Sequence, residues 1–174
     1  MSRAGESGLE KDLLPPLGED LDFLGLIWGV DHALHRASKS METIVGVTGP
    51  QRLVIRIVGR FPGIPAGHLA RLLRVHPSTL TGVLKRLQGR GLLRRRSDPR
   101  DGRRRLLGLT DKGRIFDVET PGTIEAAIRR VLDVTPQDRL QAAREVLNSI
   151  AAALGERDSG GARTALSENG LRWH

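Results

Sequence analysis

Nine arginines stand between Arg86 and Arg105, at positions 86, 90, 94, 95, 96, 100, 103, 104 and 105, with only Asp98 and Asp101 among them. That stretch carries +7 of the chain's formal +8, leaving the other residues almost balanced. Guanidinium groups this close repel one another. They need a counter-charge from outside, or the stretch stays solvated and unfolded. A single basic strip of this kind points to a polyanion as partner. Lysine occurs only at positions 11, 39, 85 and 112, so a general preference for arginine explains the residue type but not the clustering. Within the strip, Asp101 stands two residues before Arg103, close enough to hold its guanidinium by a bidentate bond.

The elements around the strip decide what it can reach. Leu92–Arg96 and Arg105–Leu109 are short leucine-containing segments flanking "SDPRDGRR". Asp-Pro and Asp-Gly are turn formers, so a hairpin with a long basic tip is predicted. Before it lies "RVHPSTLTGVLKRLQGRG", a helix with His76 as cap, Pro77 in the first position and Gly91 at the end. Leu80, Val83, Leu84 and Leu87 face inward, and Ser78, Thr79, Thr81, Gly82, Lys85 and Arg86 form the outer arc. A short helix at about 66–73 precedes it, burying Leu69, Ala70 and Leu73. Before that, "VTGPQRLVIRIVGRFPG" predicts a helix capped at Thr48 or Gly49, stopped at Pro62-Gly63, with Leu53, Val54, Ile57 and Val58 inside.

Helix, turn, second helix with a polar outer face, then basic hairpin is the order of a winged helix-turn-helix. The second helix fits the DNA major groove. The hairpin reaches sideways to phosphates and the minor groove, where an inserted arginine meets deep negative potential.

Here the chain resembles the multiple-antibiotic-resistance regulator (MarR) family, through "TGPQRLVIRIVGRFPGI", "LARLLRVHPSTLTGVLKRLQGRGLLRR" and "SDPRDGRRRLLGLTDKG". The resemblance spans roughly 20–154. It implies a homodimeric transcription regulator on a pseudopalindromic operator, with double-stranded DNA as partner. It assigns Arg103 to the minor groove and Asp101 to orienting it, and places Ser78, Thr79, Thr81, Lys85 and Arg86 on the recognition helix. Arg95, Arg96, Arg100 and Arg104 complete the wing. One departure is Gly82, where many members carry a long polar or basic side chain, leaving Lys85 or Thr81 to compensate.

The ends of the chain complete a mainly α fold with a small β-hairpin wing and N- and C-terminal dimerisation helices. Helical spacing from Asp20 to Met41 includes Phe23, Ile27, Val30, Leu34 and Ala37, apolar over a wide arc. After Thr110 a helix reading "TDKGRIFDVE" is expected to break at Pro121-Gly122 and restart at Thr123. Thr135-Pro136-Gln137-Asp138 then starts a helix with the seam Leu140, Ala143, Leu147, Ile150 and Leu154. The expected interface between two copies takes Ile27, Leu34, Leu140, Leu147, Ile150 and Leu154. The divisions are 1–18 a loose arm, 19–47 a dimerisation helix, 48–110 the winged domain, 111–154 further dimerisation helices and 155–174 a flexible tail.

Trp28, His32 and His35 fall on one side of the first helix. The resemblance implies a small aromatic or phenolic ligand there; a core or interface role for the histidines competes with it, and zinc is the weaker option. No metal site, cofactor or catalytic residue is expected. The chain has no cysteine, no Gly-rich phosphate loop, no G-x-S-x-G elbow and no apolar run near the ~20 residues of a membrane span. A cytoplasmic location is the default. The competing function is an architectural or nonspecific nucleic-acid-binding protein without ligand control. Single-strand binding by base stacking fits poorly, because tyrosine is absent and phenylalanine scarce.

Overall fold

Three acids in the first turn, Glu19, Asp20 and Asp22, suit the positive end of a helix dipole. The helix they open, α1 (Glu19–Val45), runs one turn beyond the predicted Met41 and closes at Gly46, whose φ of 81° only glycine adopts readily. This computed structural model describes residues 16–159. Expectations for 1–15 and 160–174 lie outside the described residues.

Helix α2 (Gly49–Arg60) opens with a capping box: Thr48 Oγ1 accepts from the Gln51 amide, and Gln51 Oε1 accepts from that of Thr48. Ser38 Oγ accepts from Gly49 N at 2.8 Å, which fastens α1 to the start of α2. The buried face of α2 is Gln51, Arg52, Val54, Ile55 and Val58. Leu53, predicted to lie inside, is 51% exposed, and Ile57 is half-buried. With five apolar residues among 53–58, spacing alone allows two phases. Packing selects the one that buries Ile55 and, unexpectedly, Arg52.

Helices α3 (Ala66–Leu73) and α4 (Pro77–Gly89) fall where predicted. His76 caps α4, its Nδ1 accepting from Ser78 N at 3.3 Å. Leu69, Ala70, Leu80, Leu84 and Leu87 join Val47, Val54, Ile55 and Val58 in one core. The hairpin, β1 (Leu93–Asp98) and β2 (Asp101–Leu109), closes that core with Leu93, Leu107 and Leu109. The loop before α3 adds a short pairing to β2: Gly63 N donates to Leu107 O at 2.8 Å, and Leu107 N to Ile64 O at 3.1 Å.

After the wing, Thr110 caps as predicted, accepting from Gly113 N at 3.0 Å. The helix it opens, α5 (Asp111–Arg114), is a single turn and does not reach Pro121 as expected. Arginines from α2 hold the carbonyls that a continuing helix would use. Arg52 donates to Phe116 O at 3.0 Å and Val118 O at 2.7 Å, and Arg56 to Asp117 O. Arg52 is 1% exposed, and its charge is met by Glu125 at 2.5 Å on α6 (Ile124–Val134).

The chain divides into two compact units at Ala126 and Ala127. In the second, α7 (Gln137–Ser159) starts at the predicted place, although Thr135 Oγ1 donates back to Val131 O at 2.6 Å instead of capping it. The helix passes Gly155, where the tail was expected to begin, and continues to Ser159. None of the helices among the described residues is long and apolar enough to cross a membrane.

Candidate nucleic-acid interface

The outer arc of α4 forms as predicted. Ser78, Thr79, Thr81, Gly82, Lys85 and Arg86 are all exposed, because Leu80, Leu84 and Leu87 pin the opposite arc into the core. The Thr81 hydroxyl donates to Pro77 O at 2.8 Å, and Ser78 Oγ lies 2.7 Å from His76 Nδ1. Both hydroxyls retain acceptor capacity toward the outside. A Cβ at Gly82 would meet nothing within 4 Å, so the gap in the arc is open surface, not close packing.

The wing differs from the prediction at its tip. The strands extend until only Pro99 and Arg100 form the turn. Asp98 accepts the Arg100 amide at 2.9 Å, so the Asp-Pro turn is the one used. Asp101-Gly102 continues as strand. Arg103 and Arg104, expected at the tip, therefore belong to β2. The pairing jumps from Ser97↔Arg105 to Asp98↔Asp101, a register shift of the bulge kind. Bulges re-aim side chains.

Side chains alternate along a strand, so Arg94 and Arg96 take one face of the hairpin and Arg95 the other. Both faces are basic and exposed. That suits insertion among phosphates better than packing against a protein surface. The arginines then divide by use. Arg105 donates to Ser97 Oγ, Arg94 crosses over Gly108 on the opposite strand, and Arg90 bonds to Gln51 and Gly46. Among the described residues, Arg86, Arg95, Arg96, Arg100 and Arg104 have no ion-pair partner. These five, with Lys85, are cations available to an external anion.

The expected ligand residues are not enclosed within one chain. Trp28 is 66% exposed, His32 is exposed, and His35 is occupied by Asp31 on the next turn, its Nδ1 3.0 Å from the carbonyl oxygen and 3.4 Å from the carboxylate. No group of three or more metal-ligating side chains occurs among the described residues. An open cavity of about 910 Å³ lies elsewhere, lined by Arg60, Phe61, Pro65, His68 and Leu72. Of the expected interface residues, Leu34, Leu147 and Leu154 are exposed, and Ile27, Leu140 and Ile150 half-buried.

Sequence reasoning missed Arg52, Glu125, Arg56 and Asp117. A signal existed: Arg52 and Arg56 stand four apart inside an apolar run, where a surface helix would not need them.

Comparison with known proteins agrees with this geometry. The MarR family model matches residues 45–104, from the end of α1 through α2, α3 and α4 into the wing. The regulator TtmR of Methylorubrum extorquens is 33% identical over 99 residues, covering 57% of this chain and 51% of that one. The chain thus spans about half the length of TtmR. The HTH-type transcriptional repressor Rv2887 of Mycobacterium tuberculosis is 28% identical over 125 residues, covering 71% of this chain and 90% of its own. Among solved structures, the regulator PcaV of Streptomyces coelicolor, in complex with its natural ligand, superposes with a TM-score of 0.63 at 25% identity, over 81% of this chain and 99% of that one. These relatives are regulators, not enzymes. The matched segment runs across the recognition helix and into the wing, and over that segment the chain is similar to the MarR family of transcriptional regulators.

Proposed function

We propose that two copies of this chain bind a pseudopalindromic double-stranded DNA operator and repress transcription from it in the cytoplasm. Each copy lays the Ser78–Arg86 arc of α4 in the major groove and reaches the flanking minor groove with the wing. The observation that carries this reading is the set of unpartnered arginines on both faces of the hairpin, beside a recognition helix whose outer arc is small and polar. Pairing of two copies is supported by the apolar residues α1 leaves exposed: Leu21, Phe23, Leu24, Leu26, Trp28, Val30 and Leu34. Binding of a small aromatic acid near Trp28, His32 and His35 would select a spacing of the two winged domains that misfits the half-sites. The relative PcaV, solved with its natural ligand, supports that part.

Footprinting on duplexes enriched by the protein from a random-sequence library tests the reading. A bounded, twofold-symmetric site, with half-sites about one helical turn apart, is expected. Uniform coverage without a boundary would instead mean an architectural protein. Adding phenolic acids to the same assay should release the footprint for at least one compound. Release by none would remove ligand control from the proposal.

A further inference from the structure

Arg90 belongs by sequence to the basic strip, yet its guanidinium is bonded back to the protein. Nη1 donates to Gln51 Oε1 at 3.1 Å and Nη2 to the Gly46 carbonyl at 2.7 Å. Gly46 closes α1, and Gln51 belongs to the capping box of α2. Arg90 is itself the closing residue of α4, its N–H bonded to Arg86 O at 3.1 Å. Its carbonyl accepts from Lys112 Nζ at 3.1 Å, on α5. One residue therefore joins the end of α1, the first turn of α2, the end of the recognition helix and the turn after the wing. The planar fork matters. It reaches two acceptors in fixed directions, whereas a lysine offers a single point donor on a flexible stem.

We propose that Arg90 is a positioning residue that sets the angle between α1 and α4 and does not contact phosphate. If two copies pair through α1, that angle fixes the separation of the two recognition helices, and hence the half-site spacing the protein accepts. The inference rests on the paired, DNA-binding reading above. Its chemistry is separate from that of Arg86 and Arg95, whose charges face outward.

The test uses the full chain and duplexes carrying two copies of the half-site enriched by the wild-type protein, with the spacing changed one base pair at a time. A scrambled duplex and a salt series complete the set. Arg90→Met keeps the stem and removes the fork. It should bind the best-spaced duplex roughly tenfold more weakly, bind scrambled DNA as wild type does, keep the wild-type salt slope, and lose its preference among spacings. Arg90→Lys, with one donor restored, should recover part of that preference, and it carries the test alone if the methionine variant does not fold. A salt slope lowered by about 1, with all duplexes weakened alike, would mean a phosphate contact and overturn the proposal. An unchanged spacing preference in either variant overturns it too. A wild-type protein indifferent to spacing would overturn the paired-helix reading itself, and that result appears before any variant is made.

Discussion

At the scale of single residues, the arginines of the wing are not equivalent. Arg95 stands on a regular stretch of β1, opposite Leu107. Arg103 lies on β2 where the register of the hairpin shifts. A bulged position can aim a side chain away from the strand's regular direction; a regular one lines whatever the strand lies along. Arg103→Ala is expected to lose on the order of 1–3 kcal/mol on the specific duplex, together with its preference for narrow A·T-rich flanks. Arg95→Ala should weaken all duplexes alike and lower the salt slope by about 1. Specific affinity left intact by Arg103→Ala would reduce the wing to a phosphate rail. The basic strip was legible in the sequence because clustering needs no structure to be seen. Which arginines bond back to the protein was not, since Gly46 and Gln51, the acceptors of Arg90, lie about forty residues away along the chain.

At the scale of elements, the sequence signals worked where one cause acted locally. Thr48 before α2 and His76 before Pro77 both begin helices where their chemistry demands it, while Gly46, not read as a stop, closes α1. They failed where a distant group intervened. Residues 111–120 have a helical pattern, but Arg52 and Arg56 capture carbonyls at 116–118, and the chain turns instead. The same arginine decides the phase of α2. A polar residue on the inner arc reads as surface until its partners are known. Arg52→Leu leaves two carbonyls and the Glu125 carboxylate without their donor, and should cost about 3 kcal/mol or more in urea unfolding. Arg52→Lys should cost less, since a charge remains but the fork does not. A leucine variant within about 0.5 kcal/mol of wild type would show that the cluster contributes no net stability.

At the scale of the whole molecule, the unpartnered apolar surface is the dominant fact. Leu147, at 54% exposure, and Leu154 on α7 are exposed, as is the long apolar arc of α1, and the proposed pairing would cover them with a second copy. Leu147→Asp with Ile150→Asp should give monomeric or unfolded protein that no longer binds DNA; a folded, DNA-binding monomer in light scattering would refute the pairing. A monomeric regulator would occupy its operator in simple proportion to its abundance. One whose α1 must first be covered by another copy responds differently. When the chain is scarce, the paired form grows as the square of the chain concentration, so operator occupancy rises with a slope approaching about 2 on a logarithmic scale. With two copies paired as proposed, the exposed leucines of a single helix would give the cell a threshold: dilution at division, or a modest drop in synthesis, would release the operator more sharply than loss of the same share of a monomer would.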